Sequence, residues 1–208
     1  MQMVWKQLHS LSLAVVPLMG MLVCLDAQAQ RTARGRVRIT DLDVNYTLSP
    51  KYQDESTSAA RRNLQWAQIM LEYESEARRG EWIDEIIFDW AVAVVNPDGP
   101  PLLLKNTVTY TDVKDGRHHA AMYIRPRLIE RYYRDNRIDR DHIAFRINVT
   151  VSGEDMGTFN KSERSMPRGW WSFSEPRVIL LEGELLTRLD TPFAPLDYDY
   201  YEHIKSPR

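Results

Sequence analysis

Hydrophobic residues recur at every second position through the middle of the chain, and the segment 82–95 shows this most clearly. One face of that segment is apolar except for Asp84; it comprises Trp82, Asp84, Ile86, Phe88, Trp90, Val92 and Val94. The opposite face is mixed. Because β-branched and aromatic residues dominate, the pattern predicts a long strand with one side in the core.

The same alternation predicts further strands over 37–48, 64–75, 102–112, 118–124, 143–151 and 177–188. Segment 64–75 also fits a helix. We favour a strand there because 76–80 then forms a loop of hairpin length into the next strand. A slip of phase at Thr40-Asp41 predicts a β-bulge, and Gly183 predicts a bulge or a close approach within the last strand.

Between these strands, turn residues and one different pattern define the connections. Pro97–Pro101 predicts a turn, and Asp115-Gly116 a short hairpin. The segment 125–141 has apolar residues at helical spacing after Pro126, a residue suited to a first helical position, and predicts one short helix as a crossover. Segment 152–175 is polar and is interpreted as a loop. The sequence therefore predicts an all-β fold with one short helix and about seven strands, an immunoglobulin-like antiparallel β-sandwich. Periodicity alone does not separate a sandwich from a barrel.

The ends of the chain differ from this body. Residues 1–29 combine an apolar run, Leu11 to Leu25, with the small-x-small site Ala27-Gln28-Ala29, and predict a signal peptide; an uncleaved anchor is the alternative. Residues 30–36 are interpreted as a flexible lead and 37–190 as the sandwich. The proline-rich and aromatic tail, 191–208, is predicted to pack on the domain or on a partner.

Composition narrows the compartment and the partners. The chain of 208 residues has one cysteine, and cleavage after Ala29 removes it. An exported chain without thiols is typical of a bacterium, so we expect export to the periplasm, the cell surface or the medium of a Gram-negative-type cell, with no membrane span after cleavage. The formal net charge of −2 argues against a nucleic-acid partner.

Motifs for chemistry are sparse. Cofactor and catalytic fingerprints are lacking from the sequence, so we expect no enzyme activity, no catalytic residue, no metal site and no cofactor, although a Ser-His-Asp triad assembled only in the fold stays open. His118 and His119 point to opposite faces of a strand and cannot bind one metal together. Asp84 is interpreted as lying at the solvated end of its strand or pairing with an arginine.

Two groups of residues are candidates for contact with a partner. Trp170 and Trp171, with the tail residues Tyr198, Tyr200 and Tyr201, could form an aromatic platform for sugars or peptides, or could simply cover the open end of the sandwich. The arginine-rich segment 125–140, which includes Arg131 and Arg134, is either a solvated surface or a contact patch for an acidic partner.

Two segments resemble a known family. They are Glu81–Glu85, which leads into a long strand, and Thr191–Leu196 followed by Asp197–Tyr201. Both are similar to segments of a family of exported proteins from Verrucomicrobia, of which a member from the mucin-degrading gut genus has an immunoglobulin-like β-sandwich and is linked to a type IV pilus gene cluster. The resemblance implies a sandwich, export and a role at a pilus or surface. We therefore expect a non-enzymatic scaffold or interaction module with envelope or pilus proteins as partners, and a glycan-binding sandwich as the alternative.

Overall fold

The structure, a computed structural model, describes residues 35–50, 65–77, 81–133, 137–162, 166, 169–173 and 177–206. The predicted signal peptide and most of the predicted lead lie outside these ranges. Gly35 and Arg36, the last two residues of that lead, already belong to the first strand.

Strands dominate the described ranges, with one short α-helix and several single turns of 3-10 helix. In chain order the elements are β1 (Gly35–Leu48), β2 (Gln65–Ala77), β3 (Ile83–Val94), β4 (Leu102–Val113), β5 (Gly116–Ile124), α1 (Pro126–Tyr132), β6 (Ile143–Val151), β7 (Glu154–Ser162), β8 (Ile179–Leu181), β9 (Leu185–Thr187) and β10 (His203–Ile204).

These strands form two sheets. One has four strands in the order β1-β2-β5-β9, and the other has the order β10-β4-β3-β6-β7 with β8 pairing beside β4. Their inner faces enclose a single large apolar core. The prediction of an all-β sandwich with one short helix is confirmed, and a closed barrel is not formed by the described strands.

Alternation decides which side chains enter this core. In β3, Ile86, Phe88, Trp90, Val92 and Val94 are buried, as the period-two pattern predicts. Asp84 is exposed at the start of that strand, so its carboxylate stays in water and needs no buried partner.

The two local predictions about the first strands are confirmed. The register between β1 and β2 shifts between Ile39 and Asp41, so Thr40 is the extra residue of a β-bulge. Segment 65–77 is a strand, and Ala67, Ile69, Leu71 and Tyr73 line the core.

Two predicted hairpins are wrong. After Ala77 the chain passes from β2 in the smaller sheet to β3 in the larger one, and Asp115-Gly116 joins β4 and β5, which also lie in different sheets. Turn residues indicate where the chain changes direction sharply. The packing of the core then determines whether the next strand pairs with the preceding one or crosses to the facing sheet.

The predicted last strand and the predicted loop also need correction. Segment 177–188 is two short strands, because Gly183 turns the chain with φ of 70° and sends β8 to β4 and β9 to β5. Within the predicted loop 152–175, β7 pairs with β6 through Ser152-Gly153, whose φ angles are 48° and 87°. Two consecutive positive φ angles are those of a type I′ hairpin turn.

The helix α1 starts with Pro126 at its N-terminus, as predicted. The helix follows β5 and precedes β6 in the chain. Its residues Leu128 and Ile129 are buried in the core. None of the helices in the described ranges has the length and apolar character that a membrane crossing requires.

Candidate functional site

Polar side chains form two rows across the outer face of the larger sheet. Adjacent strands in register place one row as Lys105, Ala91, Arg146 and Asn160, and the next as Thr107, Asp89, Asn148 and Thr158. All of these residues occupy outward positions in their strands because the core takes the alternate positions. The sheet thus presents an ordered polar surface that four strands hold in place.

Hydrogen bonds tie neighbouring side chains within these rows. Thr107 donates to Asp89 Oδ1 at 2.6 Å, and Thr158 donates to Asn148 Oδ1 at 2.7 Å. The Arg146 guanidinium donates to Asn160 Oδ1 at 3.3 Å. These bonds hold the side chains in defined orientations, which lowers the entropy lost when a ligand binds.

An open groove of about 490 Å³ lies over these rows and is walled by Trp171. The Arg146 guanidinium lies 4.4 Å from the centre of the Trp171 ring, a cation–π contact. The volume of the groove falls within the range of small-ligand pockets. We call it the outer-face groove; it is lined by Asp89, Trp90, Ala91, Lys105, Asn106, Thr107, Arg146, Asn148 and Trp171.

The two adjacent tryptophans have different environments. Trp170 is 3% exposed and packs in a second apolar cluster on this outer face, with Ala93, Leu103 and Ala144. Trp171 lies at the border between that cluster and the polar rows, with its ring edge-on to that of Trp170 at 5.8 Å. Trp170 therefore anchors the segment, and Trp171 is the one that a ligand can reach.

Two of the tail tyrosines, Tyr200 and Tyr201, lie on the outer face of the other sheet. Tyr200 is 54% exposed and stacks on His119 of β5 at 4.8 Å, and Tyr201 packs beside Met70 of β2. Tyr198 lies in a turn of 3-10 helix in the same tail. The structure does not bring Tyr200 and Tyr201 together with Trp171, so the aromatic platform expected from the sequence is divided between two opposite faces.

The tail is held down by buried contacts. Phe193 stacks on Tyr123 with ring centres 5.0 Å apart and meets Trp66 edge-on at 5.7 Å. Arg188 is 4% exposed; it donates to the carbonyl oxygens of Ala194 and Leu196 and lies over the Tyr201 ring. The tail then reaches the larger sheet, where β10 pairs with β4.

A hydrogen-bonded relay of Ser75, His118 and Glu202 joins this tail to the core. His118 Nδ1 lies 2.7 Å from Glu202 Oε1, and Nε2 lies 2.9 Å from Ser75 Oγ and 2.9 Å from the Lys114 carbonyl oxygen. The order Ser-His-carboxylate is that of a serine-hydrolase triad. Ser75, however, is 2% exposed and donates to the Lys114 carbonyl at 2.5 Å, so a substrate cannot reach its hydroxyl in this arrangement.

A smaller pocket of about 230 Å³ lies beside α1 and carries three arginines, Arg125, Arg127 and Arg131. The carboxylate in its lining is Glu184, 3.9 Å from Arg125 Nε. Leu181 and Tyr132 supply apolar wall, and Arg131 lies over the Tyr132 ring at 5.3 Å. Arg134, predicted as part of this patch, lies outside the described residues. We call this site the arginine pocket.

Sequence reasoning missed the polar residues of the outer-face groove. The alternation correctly predicted the strands that carry these residues. Their outward positions are occupied by Lys105, Asp89, Arg146 and Asn148. The signal was therefore present, but only the pairing of β4, β3 and β6 shows that these positions form neighbouring rows.

Several buried phenols have raised pKa values. Burial raises the pKa of Tyr123 to about 12, and burial raises the pKa values of Tyr73, Tyr110 and Tyr133 further still. Loss of water around a phenolate causes each shift. In the described ranges, no three residues of the metal-binding types cluster so that they could hold a metal ion.

Comparison with known proteins supports the fold and gives a family. No curated protein matches the chain. The crystal structure of a protein from Akkermansia muciniphila matches with a TM-score of 0.71 and 24% sequence identity, over 84% of this chain and 95% of the other. This neighbour shows the fold, and its genus agrees with the resemblance to Verrucomicrobia proteins; the immunoglobulin-like assignment and the pilus link stay predictions. A model of one protein family matches residues 27–208, and the chain belongs to that family.

Proposed function

We propose that the protein is a non-enzymatic exported interaction module that binds an acidic envelope or pilus protein through the arginine pocket. The observation that carries this proposal is the concentration of three arginines around one lining carboxylate. Arg127 and Arg131 are spaced i, i+4 on α1, where like charges repel and destabilise a helix. An acidic partner segment relieves that repulsion, and Leu181 and Tyr132 offer it an apolar contact.

Export and a pilus- or secretion-associated role are supported by the sequence. The apolar run and the Ala27-Gln28-Ala29 site precede the sandwich, and the family match starts at residue 27, beside that site. The resemblance to exported Verrucomicrobia proteins supports a partner in the envelope. A sandwich is a rigid base for such contacts, because its core fixes the backbone from which the outward side chains project.

Cross-linking in native cells, followed by affinity capture and mass spectrometry, tests this role. We expect the native chain to capture envelope or pilus proteins, and the double variant Arg127→Glu, Arg131→Glu to lose them because the charge of the pocket is reversed. Arg36→Glu is the matched control, since Arg36 is an exposed arginine at the start of β1. Capture of no envelope protein by the native chain, or equal capture by the double variant, contradicts the proposal.

The absence of enzyme activity is tested through the Ser75–His118–Glu202 relay. Burial of Ser75 supports an anchoring role over a catalytic one. We expect no hydrolysis of small aryl esters above the uncatalysed rate. Hydrolysis that disappears in Ser75→Ala while the variant stays folded would make the protein a hydrolase.

Glycan binding at the outer-face groove is the second candidate function. It is favoured by Trp171, which borders the polar rows, because sugar rings stack on tryptophan faces while their hydroxyls bond to carboxylate and amide groups such as Asp89 and Asn148. Among the described candidates, Trp171 supplies the stacking surface, since Trp170 is buried and Tyr200 and Tyr201 lie on the other face.

A glycan array tests this candidate with a control that the chain itself provides. Trp82 is 49% exposed and has Lys114 Nζ at 4.6 Å from its ring, so Trp82→Ala also removes a solvent-accessible tryptophan with a cation–π contact. We expect Trp171→Ala to abolish the hits and Trp82→Ala to keep them. An empty array for the native chain, or hits that survive in Trp171→Ala, excludes this function.

A further inference from the structure

We propose that the outer-face groove recognises a saccharide with an acidic group, and that the acid lies over Ala91 between Lys105 and Arg146. This inference rests on the second candidate function, glycan binding, and adds the class of ligand. Three observations carry it: a small residue in the floor, two cations beside it, and an aromatic wall.

The floor of the groove is open at Ala91. In the register of the sheet, Ala91 of β3 stands directly between Lys105 of β4 and Arg146 of β6. Neighbouring strands are roughly 4.8 Å apart, so the two long side chains flank a methyl group and leave space above it. A larger residue at position 91 would fill that space.

Lys105 and Arg146 form no ion pair with any carboxylate that the structure describes. The carboxylate in the groove lining is that of Asp89, which already accepts from Thr107. Lys105 and Arg146 can therefore give charge-assisted hydrogen bonds to a carboxylate or sulfate of a ligand.

The rest of the groove favours a sugar over an acidic peptide. Asp89 and Asn148 offer acceptor and amide groups side by side in one row, which suits a ring of hydroxyls. Trp171 lies next to Arg146, so a pyranose ring against the indole places its acidic substituent near the guanidinium.

Calorimetry with a matched pair of probes tests the inference. The probes are an oligogalacturonate and its methyl ester, which share the sugar rings and differ in charge. We expect the acid to bind at least about tenfold more tightly than the ester, as is typical for a charge-assisted contact. Lys105→Gln and Arg146→Gln should each reduce the affinity for the acid toward the affinity for the ester. Ala91→Leu should reduce the affinity for the acid because its larger side chain fills the floor of the groove.

The control and the opposing outcomes separate this inference from glycan binding itself. Lys114→Gln, which removes a lysine outside the groove, should leave both affinities unchanged. Equal affinity for acid and ester overturns the inference and leaves glycan binding standing. Displacement of the oligogalacturonate by poly-glutamate at equal charge concentration also overturns it, because the groove would then select charge alone. A native chain that binds no saccharide on an array of neutral and acidic glycans overturns both.

Discussion

His118 shows how a single side chain can connect distant parts of this chain. It lies on the inner side of β5 and contacts Ser75 from β2, the Lys114 carbonyl before β5, and Glu202 from the tail. Its neighbour His119 points outward and stacks on Tyr200. The alternation of a strand explains this difference, but the sequence could not indicate that Glu202, far along the chain, completes the contacts of His118.

Removal of the Glu202 carboxylate tests whether this contact stabilises the fold. Glu202→Ala removes the carboxylate that lies 2.7 Å from Nδ1 of a buried histidine, and a hydrogen bond to a charged group contributes about 1.5 to 3 kcal/mol. We expect the free energy of unfolding to fall by about that amount, with faster proteolysis of the tail. Urea unfolding followed by tryptophan fluorescence measures the first effect, and mass spectrometry of the fragments the second.

Glu81→Ala is the matched control for this change. Glu81 is an exposed glutamate just before β3, so its loss should leave stability unchanged. An unfolding midpoint in Glu202→Ala equal to that of Glu81→Ala would show that the relay contributes nothing to stability.

The elements of the sandwich follow from local pattern where a strand is long and one face is buried. Strands β3 and β6 were predictable because their inward positions are uniformly apolar. Strand β7 was not, since it is the edge of its sheet and its residues are mostly exposed; an edge strand that covers little core carries no alternation. Strands β8, β9 and β10, of two or three residues each, are too short to show a period.

Gly183 decides how the chain passes between the sheets near its end. Its φ of 70° is in the left-handed region, and an added Cβ would meet no atom within 4 Å. Gly183→Ala therefore tests the backbone alone, and we expect a loss of about 1 to 2 kcal/mol in the free energy of unfolding. The measurement is the midpoint of urea unfolding with an unchanged m-value.

Gly183→Asn provides the comparison at the same position. Asparagine tolerates positive φ better than alanine does, so it should retain more stability although its side chain is larger. A greater loss for asparagine than for alanine would show that space, and not backbone conformation, limits this turn.

At the scale of the whole molecule, the candidate surfaces are separated by the core. The outer-face groove lies on the larger sheet, whereas Phe193 and Tyr201 of the tail pack on the smaller one, so variants of the groove should leave these tail contacts undisturbed. The sequence predicted the sandwich but not this division, because which outer face receives each loop depends on strand order. The same core carries several buried phenols, and their titration offers a test of the whole fold.

The buried tyrosines predict a loss of stability in alkali. Burial raises the pKa of Tyr123 to about 12 from its ordinary 10.0, and those of Tyr73 and Tyr110 further. Since the folded state holds these protons more tightly than the unfolded state does, their contribution is fully present below pH 10 and is lost as the pH rises toward 12. We expect the tyrosinate absorbance to increase over the same pH range in which the far-ultraviolet circular dichroism of the sheets is lost.

Tyr73→Phe identifies the source of this transition. The Tyr73 hydroxyl is buried and has no hydrogen-bond partner among the described residues, so its removal should raise the free energy of unfolding at neutral pH by about 1 kcal/mol, the typical cost of an unpaired buried polar group. It should also move the alkaline transition to higher pH, because one group that must ionise on unfolding is gone. Ionisation of the core phenols while the dichroism stays native would contradict this account, since water would then reach the space between the sheets without unfolding them.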